Sequence, residues 1–221
     1  MLYRTIKRIL DFVFAFVALI LLSPLMLLTM LIIRIESPGE GTIIKQERLG
    51  QDLTHFRIYK FRTMVSSNVD FNMSHALVND NDQRLLRCGK ILRKLKIDEL
   101  PQLINILRGE MSFIGPRPLL PVYSNVYERW ELDKFRIKPG LSGLSQVNGN
   151  SFLPTYLRSY YDVLYVDKMS MFLDIGILFK TFLIVFMGEN KFLKHPDDQS
   201  LNDLIERHTP ARSDDEVSDA C

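Results

Sequence analysis

The longest apolar segment of the chain covers residues 12–33, which carry no charged side chain over twenty-two positions. At about 1.5 Å per residue, a helix of that length covers a hydrocarbon core of roughly 30 Å. The run is longer than the apolar part of a typical signal peptide, and no small-residue cleavage pattern follows it. The pattern therefore predicts a helix that enters the membrane.

Two features argue against a plain span. Ser23 and Pro24 fall in the middle of the run, where proline removes a backbone hydrogen bond and kinks a helix. Cations flank both ends, namely Arg4, Lys7, Arg8, Arg34, Lys45 and Arg48. Both flanks thus carry the cytoplasmic signature, and a helix that bends at Ser23-Pro24 and returns satisfies both. The serine hydroxyl would be available to a carbonyl freed by the proline. An ordinary kinked span is an equal alternative, because proline is common in membrane helices.

Beyond a turn cluster at residues 37–41, the pattern changes to short segments rich in β-branched and aromatic residues. Residues 42–47 and 54–64 predict a β-hairpin with a short loop between them, and Lys60 is one of its cations. Residues 66–82 are polar and predict a loop over the site. Residues 84–96 alternate basic and apolar positions, which predicts a basic amphipathic helix.

Asp98 and Glu99 stand directly before an apolar face spaced for a helix that ends at Gly109. The predicted helix N-terminus offers free amides and a positive dipole end to the two carboxylates. An ordinary helix cap, with no chemistry attached, has the same residues.

Nearby cations change this interpretation. Arg93 precedes the acidic pair, and Arg117 follows it between Pro116 and Pro118, which limit the freedom of the backbone that carries the guanidinium. A planar guanidinium on a stiff backbone suits phosphate. Carboxylates beside cations suit a phosphorylated substrate bridged by Mg²⁺, with Asp98 as the metal contact. A surface cluster of salt bridges is the alternative.

The remaining segments predict surface and interfacial elements. Residues 121–135 predict a surface helix, and residues 139–150 form a loop rich in glycine and small polar residues. Residues 169–187 are apolar but contain two charges, which favours an interfacial helix over a second span. Residues 189–221 predict a mostly disordered tail with a short amphipathic piece at residues 201–205.

Charge and cysteine content narrow the function. The 28 Lys and Arg nearly balance the 26 Asp and Glu, which argues against a dedicated nucleic-acid binder. Cys88 and Cys221 lack the spacing of a disulfide framework or a zinc site, and a reducing compartment fits.

Five motifs together resemble the bacterial small monotopic phosphoglycosyl transferases, the initiating sugar-phosphate transferases of glycoconjugate and polysaccharide assembly. They are KQERLG at 45–50, YKFRTM at 59–64, DELPQL at 98–103, FIGPRPLL at 113–120 and KPGLSGLSQVNG at 138–149. The chain's small size and its PRPLLPVY run are most similar to the bacillosamine-type members, which use diacetamido-trideoxy sugars. Each motif alone is weak, but their agreement in order over residues 4–188 is specific.

The resemblance implies transfer of a sugar 1-phosphate from a UDP-sugar to polyprenyl (undecaprenyl) phosphate, with release of UMP. It implies Asp98 as the nucleophile that forms an aspartyl phosphosugar, Glu99 as an aid to proton handling or acceptor positioning, and Mg²⁺ as the cofactor. The implied substrate contacts are Lys60, Arg93, Pro116, Arg117, Pro118, Gln146 and Asn150. The family usually carries arginine where this chain has Asn150, which puts one contact in doubt. A catalytically impaired assembly or scaffold protein of a glycan pathway is the alternative.

These inferences combine into an α+β, mainly helical monotopic protein with a re-entrant helix-break-helix, a small β-hairpin and interfacial amphipathic helices. We expect a membrane hairpin over residues 1–36, a catalytic domain over 37–188 and a tail over 189–221. The resemblance implies the cytoplasmic face of the bacterial inner membrane, with membrane lipids as partners and no nucleic acid. A homo-oligomer or association with later pathway enzymes stays open. We expect Asp98 to face the guanidinium of Arg117.

Overall fold

The computed structural model describes residues 2–65, 82, 84–123 and 127–209. Its helices are α1 (Leu2–Glu36), α2 (Arg87–Lys94), α3 (Leu103–Arg108), α4 (Thr155–Lys168), α5 (Met171–Met187) and α6 (Asp198–His208). Its strands are β1 (Ile43–Leu49), β2 (His55–Phe61), β3 (Ser112–Ile114) and β4 (Gly140–Ser142). The mainly helical class with a small β-hairpin is as predicted.

Helix α1 is assigned as continuous over 35 residues, with Pro24 inside it. Proline has no amide to donate to the carbonyl four residues earlier, which is that of Ile20. The Ser23 hydroxyl donates to that carbonyl at 2.8 Å, as the sequence suggested. The Ser23-Pro24 position therefore keeps its backbone satisfied although one ladder bond is missing.

The two halves of α1 pack against different parts of the domain. Before the proline, Ala15, Leu19 and Leu22 join a core with Leu103 and Ile106 of α3. After it, Met26, Met30 and Ile33 join a second core with Phe61 of β2 and Leu92 of α2. The Ser23-Pro24 position falls between these two cores.

Polar contacts fix both ends of α1. The Arg8 guanidinium donates to the carbonyls of Ile106 at 2.6 Å and Leu107 at 3.0 Å, which lie at the end of α3. Lys7 pairs with Asp174 of α5 at 2.5 Å. At the other end, the Glu36 carboxylate accepts from the Cys88 amide at 3.0 Å in the first turn of α2. Helix α1 is thus attached near its own N-terminus to α3 and at its C-terminus to α2. These two helices flank residues 95–102, which link them in sequence.

The predicted hairpin is present, with strand ends that differ from the predicted ones by a few residues. Strands β1 and β2 pair antiparallel, with Ile44 opposite Lys60. The fully buried Asn105 of α3 accepts from the Tyr59 amide at 3.1 Å and donates to the Arg57 carbonyl at 2.8 Å. These bonds hold β2 on α3 and direct the end of β2 toward residues 97–102.

A short parallel pair, β3 with β4, was not predicted. It brings the turn that contains Gly115 against the glycine-rich loop, where the Gly115 amide donates to the Ser142 carbonyl at 2.9 Å. A Cβ at Gly140 would lie 2.1 Å from the Gly115 nitrogen, so glycine is required for this close approach.

The predicted disordered tail is wrong for residues 189–209. Helix α6 packs the fully buried Leu204 against a core that contains Trp130 and Leu157. Residues 210–221 lie outside the described part of the chain, as do residues 66–81 and 83 of the predicted loop. The helix predicted over residues 121–135 is instead two 3-10 segments, Pro121–Tyr123 and Arg129–Arg136, and residues 124–126 between them are not described.

Two helices expose long apolar faces. In the part of the chain that the structure describes, Tyr3–Glu36 is the one helix long and apolar enough to cross a membrane. Exposed side chains of α5 include Phe172, Ile175, Leu178, Phe179, Phe182 and Phe186. The long apolar N-terminal helix indicates membrane association.

Candidate active site

The prediction that the acidic pair begins an α-helix is wrong. The pair lies in a 3-10 turn, Ile97–Gln102. Lys96, just before the turn, adopts a left-handed backbone with φ of 57°. Pro101 sits inside the turn, and α3 begins only after it and ends at Gly109 with φ of 81°. The left-handed residue interrupts the chain between α2 and the turn, and neither carboxylate acts as a helix cap.

Asp98 is a buried carboxylate without an ion-pair partner in the described structure. Its residue is 8 % exposed, and its Oδ1 atom accepts no hydrogen bond. Burial raises the pKa of Asp98 to about 6, and the neighbouring charge of Glu99 adds to this, while Lys60, Lys96 and Arg93 act in the opposite direction. The group is therefore ionised at neutral pH, but poorly solvated and available to an incoming electrophile.

Glu99 differs from its neighbour because cations surround it. Its carboxylate pairs with Lys60 at 2.9 Å and lies 3.9 Å from Arg117. Burial alone would raise the pKa of Glu99, but the charges of Lys60, Arg117 and Lys96 outweigh it and lower the pKa to about 2. Burial also lowers the pKa of Lys60, against the pull of Glu99. A carboxylate with so low a pKa is a weak proton acceptor, which favours a positioning role for Glu99 over proton handling.

An open pocket lies beside Glu99, and Asp98 is not among the residues that line it. Three of its lining residues are cationic, namely Arg48, Lys60 and Arg117, while Glu99 and Gln146 supply acceptors. The Gln146 Nε2 donates to the Leu141 carbonyl at 3.2 Å, and its buried Oε1 has no partner. Three cations around one small volume suit an anionic ligand with several oxygens.

The structure brings together some of the predicted site residues and separates others. Lys60, Glu99, Arg117, Pro118 and Gln146 line the one pocket. Pro116 lies with Arg117 in the wall of an adjacent, more apolar pocket.

Two predicted residues have other partners, and a third, Asp98, has no ion pair in the described structure. Arg93 donates to the Thr63 hydroxyl at 3.0 Å, and Asn150 donates to Glu189 at 3.0 Å. Asp98 makes no contact with Arg117 among the described ion pairs, because the guanidinium lies against Glu99 instead. The expected facing of Asp98 and Arg117 therefore stays a prediction, without an ion pair between them in the described structure.

Comparison with known proteins identifies the family of this chain. Residues 2–188 match the family described as bacterial sugar transferase. The chain belongs to that family. The resemblance carried by the five motifs is thus confirmed at family level.

Three relatives illustrate the range of this family. The chain is 38 % identical over 192 residues to the UDP-N-acetylgalactosamine-undecaprenyl-phosphate N-acetylgalactosaminephosphotransferase of Aeromonas hydrophila. The aligned region covers 84 % of this chain and 45 % of the relative. It is 38 % identical over 184 residues to the uncharacterized sugar transferase EpsL of Bacillus subtilis, covering 83 % and 89 %. It is 34 % identical over 193 residues to the UDP-glucose:undecaprenyl-phosphate glucose-1-phosphate transferase of Escherichia coli, covering 84 % and 40 %. The chain spans less than half the length of the two relatives whose names state a sugar, and those sugars differ.

The residues of this transferase fit one contact to a magnesium ion. The unpartnered, buried Oδ1 of Asp98 is the kind of oxygen that Mg²⁺ takes as a ligand, and Glu99 is engaged by Lys60. Within the described ranges, no group of three or more His, Cys, Asp or Glu residues is placed to hold a metal.

Sequence reasoning missed three charged residues of the site. Arg48 lies in the KQERLG motif, so its signal was present but its place in the pocket was not deduced. Lys96 was grouped with the other cations of the basic helix. Glu189 had no signal, because its contacts with Lys96 and Asn150 join segments far apart in sequence.

Proposed function

We propose that this bacterial sugar transferase moves a sugar 1-phosphate from a UDP-sugar to a polyprenyl phosphate and releases UMP. The observation that carries the proposal is the division of labour in the acidic pair. One carboxylate, Asp98, is buried and unpaired, while the other, Glu99, orders two cations beside it. This is an arrangement for a nucleophile next to a phosphate-binding pocket.

The cationic pocket would bind the diphosphate of the donor. Lys60 and Arg117 both lie near the same oxygen of Glu99, at 2.9 and 3.9 Å, and both line the pocket. Arg48 contributes a third charge from the hairpin. Because Arg117 follows Pro116 and precedes Pro118, little backbone freedom is lost when it binds phosphate oxygens. An uncharged analogue of the donor should bind this pocket more weakly than the charged diphosphate does.

In the first step, a carboxylate oxygen of Asp98 attacks the phosphorus attached to the sugar. A new P–O bond forms, the bond to UMP breaks, and UMP leaves with the electron pair and its negative charge. The product on the enzyme is an aspartyl phosphosugar. The cations near Glu99 would stabilise the charge that develops on the phosphate oxygens.

In the second step, an oxygen of the polyprenyl phosphate attacks the same phosphorus. The P–O bond to Asp98 breaks, the carboxylate is regenerated, and the lipid carries the sugar on a diphosphate. Bound Mg²⁺, with Asp98 as its protein contact, would offset the charge of the donor diphosphate. Glu99 would remain ionised in both steps and act by positioning Lys60 and Arg117.

The membrane topology that suits this reaction is re-entrant, with the site at the cytoplasmic face. The first half of α1 is attached to α3 through Arg8, and its last turn is attached to α2 through Glu36. If α1 crossed the bilayer, the segment between those attachments would have to cross it as well. That segment contains Arg93, Asp98 and other charges, which are costly in hydrocarbon. A helix that returns to its own leaflet keeps both attachments on one side.

The decisive assay is UMP release by the purified protein with a panel of UDP-sugars, Mg²⁺ and polyprenyl phosphate. Asp98→Asn should abolish UMP release and leave membrane association unchanged. The matched control is Asp52→Asn, which makes the same change at an exposed position in the hairpin loop and should behave as wild type. Wild-type turnover by Asp98→Asn would show that another group is the nucleophile. The panel also identifies the sugar, for which the bacillosamine-type preference stays a prediction.

A second assay tests the covalent intermediate by itself. Without acceptor lipid, the enzyme should exchange labelled UMP into the UDP-sugar, because the first step is reversible and does not need the lipid. Absence of exchange, with full turnover when lipid is added, would exclude the aspartyl intermediate but keep the overall reaction. Absence of turnover with every donor would favour the assembly-protein alternative.

Topology is tested with a cysteine at position 2 and, separately, another in the exposed hairpin loop at Asp52, each in a chain whose Cys88 and Cys221 are changed to serine. In intact cells, a membrane-impermeant thiol reagent should label neither, and after lysis it should label both. Labelling of position 2 alone in intact cells would show that α1 crosses the membrane.

A further inference from the structure

Glu189 contacts Lys96, which directly precedes the turn of the acidic pair, although Glu189 comes just after the family-matched region. It follows the end of α5, and the family match ends one residue earlier, at residue 188. Its Oε1 pairs with Lys96 at 2.8 Å, and its Oε2 accepts from the Asn150 side-chain amide at 3.0 Å. The Glu189 side chain is 19 % exposed, so this pair is largely removed from solvent on the carboxylate side.

Two lysines act on Asp98 through their charge, Lys60 and Lys96. Each of them is bound by a different carboxylate. Lys60 pairs with Glu99 at 2.9 Å, and Lys96 pairs with Glu189 at 2.8 Å. Among the described residues Asp98 itself has no ion pair, and its Oδ1 has no hydrogen bond. Of the three carboxylates Asp98, Glu99 and Glu189, Asp98 is thus the one that no lysine or arginine side chain pairs with in the described structure.

We propose that Glu189 is a positioning residue that holds Lys96 away from Asp98 and so keeps the nucleophilic carboxylate unpaired. The inference rests on the proposed function of Asp98. Lys96 is two residues from Asp98 and carries a flexible four-carbon stem, so a released ammonium could reach a neighbouring carboxylate. An ammonium paired with Asp98 would occupy the carboxylate that is proposed to contact Mg²⁺ and attack phosphorus, and this ion pair would have to break before the reaction.

Asn150 fixes the orientation of Glu189. Its backbone has φ of 45°, a left-handed conformation that asparagine tolerates better than most side chains. Its side-chain amide donates to one oxygen of Glu189, which leaves the other oxygen directed at Lys96. In this chain Asn150 therefore acts on the donor site through Glu189 and Lys96, and not by direct contact with the cationic pocket.

The experiment compares the single-turnover rate of UMP release in Glu189→Gln, Lys96→Met and the double variant. The donor is the UDP-sugar that gives the highest turnover in the panel, at saturating Mg²⁺. Glu189→Gln should slow UMP release by about fivefold, the factor expected for a partly exposed ion pair that must break, with little change in the donor concentration at half-maximal rate. The double variant should be as fast as Lys96→Met alone, because no ammonium is left to restrain.

Asn150→Gly provides a second, gentler perturbation. Glycine accepts the left-handed backbone, so this change removes the amide without strain. It should slow UMP release by less than Glu189→Gln, and Lys96→Met should again remove the effect. Unchanged melting temperatures would show that the fold is retained.

Two results would overturn the inference. Glu189→Gln and Asn150→Gly with wild-type rates would show that Lys96 does not need restraint. If the double variant loses as much of the rate of UMP release as Glu189→Gln, or more, then Glu189 merely ties the chain after α5 to the turn. If the wild type releases no UMP with any donor, the proposed function itself fails, which is a different result from either.

Discussion

The buried carboxylate of Asp98 predicts an unusual acid limb in the pH profile of the first step. Burial raises the pKa of Asp98 to about 6, so lowering the pH through 6 protonates the proposed nucleophile and stops the reaction. With that pKa, roughly nine-tenths of the carboxylate is ionised at pH 7 and roughly one-tenth at pH 5. The kcat/KM for the donor should therefore fall about tenfold between these two pH values. An ordinary aspartate, with a pKa of about 3.9, would lose less than about 10 % over the same range.

The assay is kcat/KM for UMP release between pH 5 and 8, because this parameter reports groups of the free enzyme. The diphosphate of a nucleotide sugar stays fully ionised over this range, so the donor adds no limb of its own. Lys60→Met supplies the perturbation. The charge of Lys60 holds the pKa of Asp98 down, so its removal should move the limb upward, by about one unit for a charge in this environment.

The control for this variant is Lys45→Met, an exposed lysine on the neighbouring strand. Lys45→Met should neither lower the plateau value of kcat/KM nor shift the pH at which kcat/KM falls on the acid side. A wild-type limb near pH 4 would refute the reasoning, since it would mean that Asp98 is solvated or is not the nucleophile. A Lys60→Met limb that moves downward would show that another group titrates.

The other predictions concern the contacts that hold the site in place. Arg8→Met should lower the free energy of unfolding by about 1–3 kcal/mol because it removes both hydrogen bonds from the guanidinium to the end of α3, although the Ile106 carbonyl keeps its bond from the Gly109 amide. A melting curve beside that of the exposed Arg4→Met tests this. Gly89→Ala should lower the free energy of unfolding by a similar amount, about 1–3 kcal/mol, because the new Cβ would lie 2.2 Å from the carbonyl oxygen of Thr63, two residues after β2. Leu204→Ala should lower the free energy of unfolding by about 2–5 kcal/mol, because it leaves a cavity in the core that α6 joins. Glu206→Ala, at an exposed position of the same helix, should leave the melting temperature unchanged. Equal melting temperatures of the two variants would contradict the packing of α6.

The sequence was informative where a pattern is long or where chemistry is local. The apolar run predicted α1, and the flanking charges raised the question of its orientation, since both are read over many residues. The hairpin followed from β-branched alternation around a short loop. The bond from the Ser23 hydroxyl to the Ile20 carbonyl could be anticipated, because the proline that frees the carbonyl and the serine that takes it are neighbours.

It was uninformative where a contact joins distant segments. Arg8 reaches carbonyls 98 and 99 positions away, and nothing in its own surroundings distinguishes it from Arg4. Strands β3 and β4 contain three residues each, too few for a period to be visible. The apolar positions of α6 were recognised, but the many charges around them concealed that Leu204 has a core to join.

The location of the acidic pair shows why the turn was harder to predict than its residues. Helix spacing continued through residues 98–107, yet the turn that holds Asp98 and Glu99 is 3-10 and begins after the left-handed Lys96. A left-handed lysine costs free energy, and the contact of its ammonium with Glu189 helps to offset it. That partner comes from the far end of the domain, so local sequence could not reveal it.

In the proposed reaction, the attachments of α1 would link the depth of this helix in the membrane to the position of the acidic pair. The residues that bear the acidic pair lie between α2 and α3, and each half of α1 packs on one of these two helices. Any tilt or shift of the membrane helix must therefore carry the turn with it from both sides. A soluble donor can follow such a shift freely, whereas a lipid phosphate is confined to the depth of the headgroups. A change of helix geometry at Pro24 should consequently alter use of the lipid acceptor more than binding of the donor, which is the behaviour of an anchor that sets the depth of the site.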